Sequence, residues 1–287
     1  MSPLVSIERD VVPRAPTLVV FLDGWIDAGG AAALARAALL DQIPSKRFAT
    51  FDGDALIDYR ARRPTMQLVD GVIGAVRWPE IELRAGVDRS GNDVLLLVGP
   101  EPDMRWREFT AEVAALAKSY DVRMVVGLGA FPAPVPHTRA VRLASTASDA
   151  VLAEKVGFVG GTLEVPCGIQ GVLERACGDA GVPAVGIWAR VPHYLAATPY
   201  PAAAASLIDG LASAAGLALN SGDLHAEAAA ARSRIDELVS NSDEHLSLIG
   251  QLEAQVDADE PTLNVALPSG DELAAELERF LREQPDN

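Results

Sequence analysis

Apolar residues along this chain fall into two patterns. In the first, short runs are almost unbroken: Leu18–Leu22, Val94–Val98, Arg123–Leu128 and Pro183–Ala189. Runs of this length are too short for helices and predict strands buried on both faces, as in a parallel sheet. Each is followed by a loop and then, directly or after an insertion, by a segment with helical spacing. These helices are expected over Ala28–Leu40, over Arg105–Tyr120 with Asp103 as its N-cap, over Ile169–Gly178, and from Pro201 to about Leu219. Arg47–Phe51 and Val141–Ser145 read as further strands, and Asp149–Val156 as a short helix. Met66–Val69 and Val72–Trp78 flank Asp70-Gly71, the dipeptide that favours a tight hairpin turn. The expected architecture over residues 1–220 is α/β: a three-layer αβα arrangement around a mostly parallel sheet, mixed because the hairpin interrupts its crossovers.

The second pattern begins at Leu224. Leu224, Ala228, Ala231, Ile235, Leu238, Ile249, Leu252 and Val256 follow the alternating four-and-three spacing of a helical seam. Ser242 and His245 interrupt it, so a break is expected at Asn241-Ser242-Asp243, with Ser242 or Asp243 capping the second helix and the pair folding back on itself or on the body. Ser269 and Glu272 have the spacing of a capping box before a terminal helix carrying Leu273, Leu277, Phe280 and Leu281. Residues 221–287 therefore read as an α-helical C-terminal appendage.

Charge separates the same two regions. The net charge is −16; residues 221–287 hold 16 acidic side chains against four arginines, a net of −12, which leaves −4 for the first 220. Nucleic acid is excluded as a partner, since displacing counterions from phosphates needs clustered cations. Arg60, Arg62 and Arg63 form the one dense basic cluster. No apolar run approaches the ~20 residues of a membrane span, and MSPLVSIERD lacks the basic and apolar blocks of a signal peptide. A cytoplasmic protein without membrane attachment is expected. The two cysteines, Cys167 and Cys177, suggest neither a disulfide framework nor a zinc site.

A parallel sheet gathers the loops after its strands at one edge, where α/β proteins place their ligands. That topology predicts a cleft drawing on Asp23, Trp25, Asp27, Glu101, Arg105, His137, Thr138 and His193. Carboxylates beside imidazoles suit general acid–base work. Each residue also has a plainer reading: Asp27 as the cap of the first helix, Trp25 as core, Glu101 and Arg105 as a local ion pair, the histidines as structural. DGWIDAGG does not have the spacing of a dinucleotide-binding turn, and a carboxylate at that helix start would occupy the anion position itself. No P-loop, nucleophile elbow or HExxH motif is present. No cofactor and no metal are expected.

Six segments carry a resemblance: FLDGWIDAGGAA (21–32), FDGDALIDYRARRP (51–64), GPEPDMRWREF (99–109), GLGAFPAPVPHTR (127–139), the segment from VPHYL to Pro201 (191–201) and LPSGDELAAELERFLRE (267–283). On these, the chain resembles the proteasome assembly chaperone 2 (PAC2) family in its bacterial, actinobacterial-type form. The resemblance implies a phosphorylase/hydrolase-like α/β fold and homo-oligomers. It also implies a non-enzymatic assembly or interaction role, with proteasome subunits or a related complex as partner. It supplies no catalytic residues. Eukaryotic members dock through a C-terminal hydrophobic–Tyr–X ending, which Glu283-Gln284-Pro285-Asp286-Asn287 lacks. The residues alone leave an alternative open: a hydrolase- or transferase-like enzyme, or a small-molecule binder, using the cleft at the carboxyl edge.

Overall fold

The apolar runs become the centre of a single eight-stranded sheet. The computed structural model describes residues 4–8 and 13–258. Within them the elements are β1 (Val5–Ile7), β2 (Thr17–Asp23), α1 (Ala31–Gln42), β3 (Ser45–Phe51), α2 (Gly53–Leu56), β4 (Thr65–Val69), β5 (Val72–Arg77), β6 (Glu82–Val87), β7 (Asp93–Pro100), α3 (Trp106–Ser119), β8 (Met124–Ala133), β9 (Leu143–Ala147), α4 (Ala150–Val156), α5 (Ile169–Asp179), β10 (Ala184–Pro192), α6 (Pro201–Ala215), α7 (Gly222–Ser240) and α8 (Asp243–Ala258). The sheet order is β1-β3-β6-β7-β2-β8-β10-β9. The four strands β7-β2-β8-β10 are mutually parallel, and β1, β3, β6 and β9 pair antiparallel around them.

Burial on both faces explains the unbroken runs. Along β2, Val19 and Phe21 pack under α1 and α6, whereas Leu18 and Val20 pack under α3 and α5. Every position is thus an inward position, worth roughly 1.5–3 kcal/mol for each large side chain fully buried. The result is the expected three-layer αβα body. Small residues set the helix spacing: Ala31 and Ala35 on α1 meet Ala203, Ala204 and Ala205 on α6 with essentially no exposure. Pro201 occupies the first turn of α6, where its missing N–H costs nothing. Gly216, at φ 63°, ends that helix earlier than the periodicity suggests.

Several local expectations need correction. The sheet is mixed because β3, β6 and β9 run against their neighbours; the β4–β5 hairpin forms a separate two-stranded ribbon and joins no strand of the large sheet. Its turn is as expected, with Asp70 and Gly71 both at positive φ. The short elements β1, α2 and β6 were not foreseen. β6 (ELRAGV) buries only Leu83 and Ala85 of its six residues, a pattern too brief to stand out. Asp103 does not cap α3: it pairs with Arg62 and accepts the Asp58 amide at 2.8 Å, while Arg105 occupies the cap position at φ 57°.

Beyond the body, α7 packs on α6, and the chain breaks at Asn241-Ser242 before α8. Ser242 Oγ accepts the His245 amide at 3.4 Å, so the expected cap is present. The seam is only partly used: Leu224, Ala231, Ile249, Leu252 and Val256 are buried, whereas Leu238 is exposed. The capping box at Ser269 and Glu272 and the terminal helix lie outside the described residues. No described helix is long and apolar enough to cross a membrane.

Candidate functional site

At the carboxyl end of β2 the backbone leaves the sheet through Asp23, whose carbonyl accepts the Glu101 amide at 2.7 Å. Gly24 leaves room here for the Glu101 side chain, since a β-carbon would stand 2.6 Å from its carboxylate oxygen and displace it. Trp25 follows, more than half exposed at 55 %. Asp27 then feeds a 3-10 turn, Ala28–Gly30, in which both glycines take left-handed backbone (φ 66° and 55°). Gly29 is tied to the loop after β10: it donates to Ala196 O at 2.7 Å and accepts from Tyr200 N at 2.9 Å.

Two helices start at this point, and each receives one of the protein's own carboxylates. Asp27 accepts from the first free amides of α1, Ala32 N at 2.7 Å and Ala33 N at 3.0 Å. It therefore caps α1 as expected, although Gly30 and not Asp27 sits at the cap position. Glu101 Oε1 accepts from Ile169 N, the first residue of α5, at 2.5 Å. Asp23 pairs with Arg36 of α1 at 2.5 Å. Between these groups lies a cleft of about 550 Å³, open solvent included, with Trp25, Ile26, Glu101, Gln170 and Trp188 among its walls. With both helix N-termini already occupied by carboxylates, neither is free to hold an anion.

Of the eight candidate residues, Asp23, Trp25, Asp27 and Glu101 line this cleft; Arg105, His137, Thr138 and His193 do not. Arg105 forms a two-pronged contact with Glu108 at 2.6 and 3.0 Å and leaves Glu101 alone. That contact raises the guanidinium's proton affinity and holds Glu108 below the usual carboxylate range.

His137 lies where the loop after β8 meets α7. Its side chain is 1 % exposed. Tyr194 Oη accepts the His137 amide at 2.8 Å and stands 2.7 Å from Nδ1; Nε2 stands 3.0 Å from Asp236 of α7. This geometry suits a neutral ring, with the tyrosine hydroxyl donating to Nδ1 and Nε2–H donating to Asp236. Burial, with Arg232 nearby, lowers the His137 proton affinity despite Asp236, so the contact is a hydrogen bond and not an ion pair at neutral pH. Burial likewise pushes the Tyr194 hydroxyl up to about 12. Arg232 grips Asp236 and donates to the His137 carbonyl at 3.0 Å. Next along the loop, Thr138 donates to Glu253, and Arg139 pairs with Glu253 at 2.9 Å and Asp257 at 2.6 Å, all on α8. His193 sits in the short turn after β10 with its ring edge-on to Tyr194 at 5.4 Å. The loop after β8 therefore works as the mount of α7 and α8, and the pair of imidazoles does not line the cleft.

The cleft residues that the motif survey missed are Arg36, Gln170 and Trp188. A signal was present: Gly127, Gly129 and Gly186 interrupt strands that otherwise read as core, and a glycine inside a strand marks the close approach of something else. Among the described residues no group of three or more His, Cys, Asp or Glu side chains is arranged to hold a metal ion.

The fold, the cleft and the mount now stand beside known proteins. The PAC2 family model matches residues 21–239, about three quarters of the chain. The chain belongs to the PAC2 family. A Streptomyces avermitilis PAC2 family protein is 36 % identical, with TM-score 0.72, over 82 % of this chain and 99 % of that one. A Mycobacterium tuberculosis proteasome-assembly chaperone homologue is 35 % identical, with TM-score 0.75, over 81 % and 99 %. A Corynebacterium glutamicum protein of unknown function is 30 % identical, with TM-score 0.82, over 89 % and 97 %. No curated protein matches. The α/β class and the family expected from the sequence are those found.

Proposed function

We propose that this PAC2 protein is a non-enzymatic assembly or interaction protein of the cytoplasm that self-associates and engages a proteasome-type complex. In this reading residues 1–220 form the α/β body and residues 221–287 an acidic helical appendage. The observation that carries it is the β4–β5 hairpin. All eleven of its strand residues are exposed, Val72 to 69 % and Ile73 to 65 %, and neither strand is paired with the main sheet. Tyr59 and Trp78 stack edge-on at 4.8 Å at its base. A two-stranded ribbon is marginal by itself in water, and a contiguous apolar surface of this kind marks a protein contact. A second copy of the chain is the partner proposed for it. The foreign partner rests on the family and on the likeness to the M. tuberculosis proteasome-assembly chaperone homologue.

Light scattering after size exclusion tests the first part. Wild type should run as a homo-oligomer and Ile73→Asp as a folded monomer; a monomeric wild type ends the self-association reading. Native mass spectrometry with cognate proteasome α and β subunits tests the second, and the absence of a complex in every assembly state ends it.

A second reading has its own support. The cleft beside Trp25 and Trp188 has aromatic walls that could hold a small ligand or a side chain of a partner, and its self-capped helix starts favour a neutral or cationic one. Saturable shifts of the Trp25 indole resonance by benzamidinium but not by benzoate would support this reading. Shifts by neither, or by both alike, would remove it.

A further inference from the structure

Behind the cleft floor, on the face of the sheet covered by α5, lies a polar group that no motif announces. Glu174, in the middle of α5, is 5 % exposed. Its Oε2 accepts from Thr146 Oγ1 of β9 at 2.6 Å, and its Oε1 meets Gln170 Nε2 at 3.4 Å. Thr146 Oγ1 accepts in turn from the Trp188 indole at 3.0 Å. Gln170 and Trp188 are themselves cleft walls. Hydrogen bonds thus run from the cleft to a buried carboxyl along two routes.

The sheet is cleared to make room for this group. Gly127 of β8 and Gly186 of β10 are side by side in the register, and Gly129 is paired with Trp188. A β-carbon at Gly127 would run into the Gln170 side chain, at Gly129 into the Trp188 ring, and at Gly186 into Glu174 and Thr146. Three adjacent positions on central strands thus give up apolar packing to seat one acid and its partners.

The environment of Glu174 is otherwise neutral. Burial pushes its proton affinity up to about 7, opposed only by the hydrogen bonds from Thr146 and Gln170. From β8 and β10 it faces glycines and an indole, and from β9 a hydroxyl. On its own helix, Cys177 is pushed up to about 11 by burial and then by Glu174; Cys167, just before the helix, is also raised, so both stay thiols near neutrality. Arg175 and Asp179 pair with each other at 2.8 Å on the exposed side of α5.

We propose that proton uptake by Glu174 inverts the side-chain amide of Gln170, switching the cleft floor from a hydrogen-bond acceptor to a donor. With Glu174 ionised, Gln170 turns its NH2 to the acid, which leaves its carbonyl oxygen as the amide atom turned away from the acid. With Glu174 neutral, Thr146 still donates to Oε2, and the new O–H at Oε1 needs an acceptor. The only atom of that amide able to accept is its oxygen, so the amide rotates and presents its NH2 to the cleft. The cleft then selects hydrogen-bond-donating ligands in the ionised state and accepting ligands in the neutral one. This does not depend on which ligand binds.

NMR of the full chain between pH 5.5 and 8.5 tests it, with the Gln170 amide assigned by loss of its signal in Gln170→Met. The Glu174 carboxyl carbon and the Gln170 NH2 should titrate with one shared midpoint near 7, and Glu174→Gln should freeze the Gln170 signal. A Gln170 NH2 that is constant with pH, or that titrates unchanged in Glu174→Gln, overturns the proposal. Should Glu174→Gln not fold, Thr146→Val removes the other donor and should move both midpoints upward together. A Gln170 signal that stays put while Glu174 shifts overturns it equally.

Discussion

The carboxyl edge of this sheet has two halves that share a topology and differ in fate. Above β2 and β7 the loops leave a cleft open to solvent, walled by Trp25 and Glu101, with Trp188 of β10 also lining it. Above β8 and β10 the corresponding loops are covered, because His137, Thr138 and Arg139 are bonded to α7 and α8. Position at the end of a parallel strand therefore nominates a residue without deciding its role. What else the chain places on top of it decides. A titratable side chain on the open half can meet a ligand, while the same kind of side chain on the covered half becomes a fastener.

Two buried groups beside these halves, Glu174 of α5 behind the cleft and His137 under α7, should respond to pH in opposite senses, and this is the largest effect expected. Glu174 binds its proton more tightly folded (about 7) than unfolded (ordinary value 4.5), so the native state holds more protons between those values and stability falls as pH rises through that window. The loss is on the order of 3 kcal/mol, complete above pH 7, and absent in Glu174→Gln; chemical denaturation of both proteins at pH 5 and pH 8 measures it. His137 is shifted the other way. Its folded value lies below the ordinary 6.5, so its contribution is present above 6.5 and is lost as pH falls through the lower folded value. Release of α7 and α8 on alkalinisation instead would break the comparison.

Next in size, His137→Ala leaves Tyr194 and Asp236 without their shared partner and should cost about 2–3 kcal/mol. The cost should appear as faster proteolysis at Asn241-Ser242, with the cleft indole signals unchanged. Asp27→Ala removes two hydrogen bonds from the start of α1 and should cost about 1 kcal/mol by denaturant unfolding, with Asp27→Asn recovering most of it. Trp25→Ala should change stability by less than about 0.5 kcal/mol, since the ring is more than half exposed. A larger loss at Trp25 would show that the open half is built from core residues after all.

Much of this contrast was legible in the sequence. The unbroken apolar runs mark β2, β7, β8 and β10 because a strand covered on both faces has no polar position to spare. Asp70-Gly71 marks its hairpin because both turn residues must take positive φ, and the break at Asn241-Ser242 interrupts the α7–α8 seam where the spacing fails. The strands β1 and β6 were not legible, since short edge-side strands bury too few residues to set a period. Of the cleft, the half carried by DGWID could be named in advance. Gln170 and Trp188 could not, because nothing local says that α5 begins beside β2.

The sequence by itself settled the class of fold, its parallel core and the family, because those depend on periodicity and on residues close together along the chain. Only the tertiary structure decided that His137 is a fastener and that Asp27 and Glu101 fill their own helix starts. It alone also showed that Gly127, Gly129 and Gly186 make room for Glu174. Each of those facts is a contact between segments far apart in sequence, and burial and partner choice arise only when such segments meet.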